Sequence, residues 1–481
     1  MILTHRPQKL RINGGKREWG LAALLVAVLI GGALALRQSR SPALPIPIPP
    51  NVKALEPQLQ ALIAEKAEWI RASPGKFERH ATLALIYAVN NLWPEAELAF
   101  GNAAKLAPQE PLALMYLGVS AQEQGRVDQG LAILQTVTQK FPDFPPAFYR
   151  LAEAHLKAGN LEEAEKAFAR LTQLSPAEWR GWAGLGEIQL DRKNETAAME
   201  LLRKAIQIDP TAKKAHYLLG MACRRAGRME EAAFELALGQ NHIDFPMTDS
   251  WNDGANQFMK TIGDQIQIAR EMQEHGKAAE AVKLLREALR FQPENITLLN
   301  NLAISLISAE QPALALEPLQ KLTAANSNYL PAWVSLAQAY HGLGRTNEAL
   351  AAADRAIAMA PESIKAHLAK VNALLGMEAD TAALAELEKA AELDPKNEKL
   401  QVEMGDVFWG NLNAPQKALE HYQKALELNQ VSFGARLKMG QLLESMGESE
   451  KARSNFFLAK KIAAVEGIAL EPSAFETANS K

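Results

Sequence analysis

Residues 142–176 read PDFPPAFYRLAEAHLKAGNLEEAEKAFARLTQLSP, two helical runs framed by two prolines. Gly159-Asn160 closes the first run, since a glycine there takes the left-handed conformation that ends a helix. Pro176 stops the second run, because proline cannot continue the hydrogen-bond ladder. The same punctuation recurs along the chain. Pro74, Pro108, Pro142, Pro176 and Pro210 follow one another at intervals of 34 residues, and the beat resumes at Pro293. Ser327 fills the next place, Pro361 and Pro395 keep the interval, and Gln430 continues it with one extra residue. Between Pro210 and Pro293 lie two periods of 34 plus 15 inserted residues.

The residues within each period agree from unit to unit. The quoted unit has Phe148, Leu151-Ala152, Ala164 and Phe168; the next has Trp182, Leu185-Gly186, Ala198, Leu202 and Ala205. A later one has Trp333, Leu336-Ala337, Tyr340, Gly344-Arg345, Ala349 and Ala356. The small residues let two antiparallel helices approach closely. This arrangement resembles the tetratricopeptide repeat family in period, terminal proline and internal pattern. The resemblance implies an all-α, right-handed α-solenoid of about eleven helix-turn-helix units. Units 1–5 occupy residues 75–244, an insert 245–259, and units 6–11 residues 260–463. Residues 55–74, with Leu59, Leu62, Ile63, Ala67 and Ile70 on one face, read as a capping helix. A solenoid needs one, since a terminal unit otherwise exposes its stacking face. Residues 464–481 are left as a C-terminal tail.

Ahead of the repeats, Trp19 to Leu36 (WGLAALLVAVLIGGALAL) carries no charge. At 1.5 Å per residue this run is about 27 Å long, close to the thickness of a bilayer core. Arg6, Lys9, Arg11, Lys16 and Arg17 precede it, and only Arg37, Arg40 and Lys53 follow closely. The positive-inside rule therefore puts residues 1–18 in the cytoplasm and the repeats outside it, as in a single-pass inner-membrane protein. A cleaved signal peptide is the rival, with Ala33-Leu34-Ala35 as its small-residue site. Residues 37–54 read as a stalk, and SPALPIPIPP (41–50) as an extended polyproline spacer of roughly 30 Å.

The 481 residues are 22% charged with a net charge of −3, which argues against a nucleic-acid partner. A single cysteine, Cys223, excludes an internal disulfide framework. No phosphate loop, dinucleotide turn, H-E-x2-H pair or C-x2-C pair is present, so neither enzyme activity, cofactor nor metal is expected. His80, His216 and His367 fall where the family places tryptophan and are assigned to packing.

With each proline counted as position 32, positions 2, 5, 9 and 12 of the first helices face a concave groove in this family. Protein or peptide partners are expected there, with Met115, Tyr149, Tyr217, Met221, Arg224, Ile266, Arg270, Asn300, Gln338 and Asn372 as contacts. None of the position-5 residues is lysine, so the carboxylate clamp of chaperone-binding relatives is absent. Trp251 and Phe258 mark the insert as an ordered excursion with a partner surface of its own, or as a segment seated in the groove. Self-association through the terminal repeats is left open. The expected function is a membrane-anchored scaffold in bacterial envelope assembly, secretion or maturation. The alternative is an organelle import receptor with its repeats in the cytosol.

Overall fold

The computed structural model describes residues 44–242 and 246–468, with Leu470 and Phe475. These residues hold 23 α-helices and no strand. Helix Pro57–Ala72 is followed by eleven helix hairpins. Unit 1 is Phe77–Val89 with Trp93–Leu106, and unit 11 is Phe433–Ser445 with Ser449–Glu466. The last helix thus runs three residues beyond the boundary expected for the final unit. Beyond it, Phe475 meets the Phe456 ring edge-on at 5.6 Å. Among the described residues no helix is long and apolar enough to cross a membrane. The expected anchor at 19–36 and the basic segment 1–18 lie outside the described residues.

The turn inside every hairpin uses one device. Asn91, Gly125, Gly159, Lys193, Gly227, Gly276, Glu310, Gly344, Glu378, Asn413 and Gly447 all have φ between 49° and 81°. The next amide then reaches back to a helix carbonyl, as Arg126 N does to Ala121 O at 2.9 Å. Side chains disfavour this conformation by about 1 kcal/mol. Glu310→Gly and Glu378→Gly are therefore expected to raise stability by about 0.5–1 kcal/mol each, read as a higher thermal midpoint. Between hairpins, the residue before each proline is driven out of the helical region. Ser73, Ala107, Phe141, Ser175, Asp209, Gln292, Ala360 and Asp394 lie at φ between −128° and −156°. The extra residue of unit 10 is absorbed as a π-helical turn, Val407–Asn411, at the end of its first helix.

Position 4 proves to be more than packing. His80, Trp182, His216, Trp333, His367 and Arg436 each bond the carbonyl six residues earlier, at the end of the preceding hairpin. In two units the histidine's second nitrogen meets a buried carboxylate 19 residues on. His216 Nδ1 lies 2.5 Å from Glu235, and His367 Nδ1 lies 2.5 Å from Glu386. The same place after His80 is Ala99, and His80 Nδ1 is buried with no partner.

Among the described residues the repeats form two arrays that meet at two junctions besides the contacts of the insert. At one, Gln265 of unit 6 bonds Gln58 of helix Pro57–Ala72 at 2.6 Å, and Gln292 bonds Glu56 at 2.7 Å. At the other, unit 5 meets the final helix: Lys461 Nζ lies 2.8 Å from Glu235, and Lys213 Nζ 2.8 Å from Glu466. Leu238, Ile462 and Val465 are buried there together, with Phe234, Val431 and Phe433 packed around them. The faces that terminal units would expose are thus covered within the chain.

The proline-rich segment is no free spacer from residue 44 onward. The Tyr87 hydroxyl donates to the Pro47 carbonyl at 2.6 Å, and Asn102 Nδ2 to the Pro45 carbonyl at 2.8 Å. Ile46, Val52 and Leu55 pack on the core of the first array. A polyproline strand exposes unpaired carbonyls, and two buried donors of unit 1 satisfy them. Tyr87→Phe is expected to lose about 1–2 kcal/mol and to speed proteolytic cutting between residues 44 and 55. Unchanged cleavage would show that the strap is held by other contacts.

Candidate binding surface

The residues expected to line one groove meet different fates. Met115 is fully enclosed and Tyr149 and Asn300 nearly so, because these units stack tightly enough to bury position 5. Asn300 Oδ1 is taken by the Ser335 hydroxyl at 3.1 Å. These three offer no face to a ligand. Tyr217 is half-buried beneath the His242 ring, their centroids 4.7 Å apart. Met221 is half-buried, and its sulfur contacts the Arg224 guanidinium at 3.0 Å. Ile266 is half-buried against the core of the second array, and Asn372 is half-buried. Arg224, Arg270 and Gln338 are exposed.

Tyr217, Met221 and Arg224 share one face of helix Lys213–Arg225, as spacings of four and three require. Ile266 and Arg270 belong to unit 6, which packs on helix Pro57–Ala72 through Gln265. The surface of unit 5 therefore does not pass to unit 6 in the order of the sequence.

The first helices of units 3–5 carry charges that pair with one another. Lys214 Nζ lies 3.2 Å from Glu187 and 3.9 Å from Glu153, and Arg180 pairs with Glu178 at 2.8 Å. Arg180 also covers the Trp179 ring at 4.7 Å. Beneath them, burial and the neighbouring Glu153 carboxylate push the Tyr149 phenol up to about 12. A fixed lattice of paired charges over aromatic rings suits a polar polypeptide surface, which can exchange hydrogen bonds with it.

The insert lies on units 1 and 2. Trp251 runs parallel to the Tyr116 ring at 6.0 Å and to the Phe100 ring at 6.2 Å. Tyr116 donates to Asp249 at 2.7 Å. Asn90 grips the far end, giving its Nδ2 to the Phe258 carbonyl at 2.9 Å and accepting the Lys260 amide at 3.2 Å. Tyr116 and Asn90 were not among the expected contacts. Tyr116 stands one residue from the position-5 series, whereas Asn90 sits in a turn where nothing local marks it. Among the described residues no three histidine, cysteine or acidic side chains gather as a metal site. His242 is on Tyr217 and Asp249 on Tyr116, while Asp244 lies outside the described residues.

Family profiles described as tetratricopeptide repeat match residues 82–145, 121–187, 189–243 and 330–363. Over these residues the chain carries tetratricopeptide repeats. Such repeats generally serve as protein–protein interaction scaffolds. Solved structures similar to this chain include a tetratricopeptide protein of Thermus thermophilus, 21% identical, covering 38% of this chain and 98% of that one at a TM-score of 0.36. Yeast Tom70 is 13% identical, covering 80% and 94% at 0.37. The Cut9–Hcn1 hetero-tetramer is 14% identical, covering 84% and 82% at 0.36. No curated protein matches the chain.

Proposed function

We propose that this protein is a membrane-tethered scaffold that recruits protein partners through its exposed first-helix faces, outside the cytoplasm of a bacterial-type cell. The observation that carries the recruiting role is the set Arg224, Arg270 and Gln338. These project from first helices, stay exposed, and are not spent on joining the two arrays. Long polar side chains so placed reach a partner without disturbing the stack behind them. The tether reading rests on the uncharged run at 19–36 and the basic residues before it. Residues 37–43 lie between that run and residue 44, and from residue 45 the chain is already bonded to unit 1. Seven residues reach about 25 Å at most, so the repeats work close to the bilayer surface.

A photo-crosslinker replacing Gln338, and separately Arg224, tests the scaffold in the native membrane. Capture of a distinct extracytoplasmic protein is expected at one position or both. No capture at either would remove the support for this surface, and capture only of a second copy would turn the reading toward self-assembly. Topology is tested independently by adding protease to intact spheroplasts. Digestion of the repeats is expected; full protection would place them in the cytoplasm.

A further inference from the structure

Trp251 sits on a seat built for an indole. Ala81, Ala103, Ala104 and Ala113, four buried small residues from units 1 and 2, cluster against it. Tyr116 and Phe100 add ring surfaces nearly parallel to it, at 7° and 12°. Larger side chains at the alanine positions would fill the space, so the recess exists because all four are small.

The segment that fills the seat carries its own local fold. Asp249 Oδ1 accepts the Trp251 amide at 2.8 Å and the Asn252 amide at 2.9 Å, while its Oδ2 takes the Tyr116 hydroxyl. A carboxylate two residues before an indole is thus read by one tyrosine and one apolar recess. Asn90 holds main-chain groups at Phe258 and Lys260, a contact that does not depend on side-chain identity there. Beside the insert a cleft of about 280 Å³ stays open, lined by Glu78, Ala81 and Leu85 at positions 2, 5 and 9 of unit 1. These are the groove positions of the first helix. The insert therefore occupies this part of the groove as a bound peptide would. Its contacts there are side-chain packing and the hydrogen bonds of Tyr116 and Asn90, which another segment can reproduce.

We propose that the concave face of units 1 and 2 is a binding site for a protein segment that turns at an acidic residue placed two positions before a tryptophan. The protein's own insert is an internal ligand that such a partner segment displaces. This rests on the scaffold reading and gives it a recognition chemistry. An internal ligand competes at an effective concentration set by its linkers, of millimolar order for short ones. Weakening it raises apparent affinity for an outside segment by the gain in open population.

The test uses the full chain in detergent and a labelled peptide, PMTDSWNDGANQFMK, with the sequence of residues 246–260. By fluorescence anisotropy, Trp251→Ala is expected to bind the peptide about 100-fold more tightly than the unaltered protein. Adding Tyr116→Phe to that variant should weaken the peptide about tenfold, through loss of a bond to a carboxylate. A peptide with alanine in place of its aspartate and tryptophan should not bind. Equal, weak binding by both proteins, with the helical circular dichroism of Trp251→Ala unchanged, would overturn the proposal and leave the insert a permanent strap. Should Trp251→Ala fail to fold, Asp249→Asn loosens the insert alone. An affinity gain of about fivefold supports the site, and no gain overturns it. Crosslinking from Gln338 keeps the two readings separable. Capture there with a peptide that never binds sinks only the internal ligand, while failure of both sinks the scaffold too.

Discussion

Glu235→Ala is expected to destabilise the protein by about 3–5 kcal/mol and to release the final helix from unit 5. The Glu235 carboxylate is buried, 2.5 Å from His216 Nδ1 and 2.8 Å from Lys461 Nζ. His216 is itself enclosed, with its other nitrogen held by the Pro210 carbonyl at 3.1 Å. Deleting the carboxylate leaves that imidazole nitrogen without an acceptor and removes the polar link to residue 461. Stability in repeat arrays is roughly a sum of unit and interface terms, so the loss concentrates at this junction. Hydrogen exchange in Ser449–Glu466 should accelerate. Glu386→Ala breaks the same pairing in unit 9, where the cations beside the carboxylate, Lys389 and Lys370, both belong to that unit. It should lower stability comparably yet leave exchange in the final helix unchanged. A loss below about 1 kcal/mol for Glu235→Ala would show that the apolar contacts of Leu238 and Ile462 hold the junction alone.

The same residue sets an acid limit. Burial pushes the Glu235 carboxyl up, but the hydrogen bonds and charges of His216 and Lys461 outweigh it and hold the group below its ordinary value of 4.5. Glu386 is held down likewise, burial again opposing His367, Lys389 and Lys370. A depressed folded-state pKa contributes stability that is complete above the unfolded value and is lost as pH falls through the folded one. Stability should therefore hold at neutral pH and decline from about 4.5 downward. Removing either carboxylate should flatten that decline.

Gly184→Ala is expected to cost about 2–3 kcal/mol, and Phe168→Ala about 3–5 kcal/mol, yet together they should cost less than their sum. A Cβ on Gly184 would stand 2.4–2.6 Å from three atoms of the fully buried Phe168 ring. The ring cannot retreat, since it is packed within the core of the first array. With the ring deleted, the new methyl enters space that Phe168 vacated. A double-mutant cycle by denaturant unfolding should give a coupling of about 2 kcal/mol. Additive losses would mean that the ring already has room to move aside.

The repeat was legible because its signals act over a few residues. A proline cannot donate to the helix it ends, and a left-handed residue ends the helix before it, wherever in the chain either falls. Even the five hairpins with Asn91, Lys193, Glu310, Glu378 and Asn413 in that place keep the turn, because the helices on both sides demand it. The binding surface was less legible. Position 5 identifies the inward side of a first helix, but neighbouring units decide whether that side stays open. Met115 is sealed while Tyr217, at the same position in its unit, stays half-buried.

The amino-acid sequence by itself determined the helical class, the 34-residue unit, the turn within each hairpin and the place where the beat breaks. All of these follow from backbone restrictions and from small residues within one unit. Only the tertiary structure decided that the final helix lies on unit 5, that unit 6 lies on the first helix, and that residues 44–50 strap unit 1. It alone seated Trp251 on the alanines of units 1 and 2. The pairs that do this stand far apart in the chain: 133 residues separate Tyr116 from Asp249, and 226 separate Glu235 from Lys461. Such contacts arise from the summed curvature of whole arrays, to which every unit contributes a little and no single residue carries the instruction.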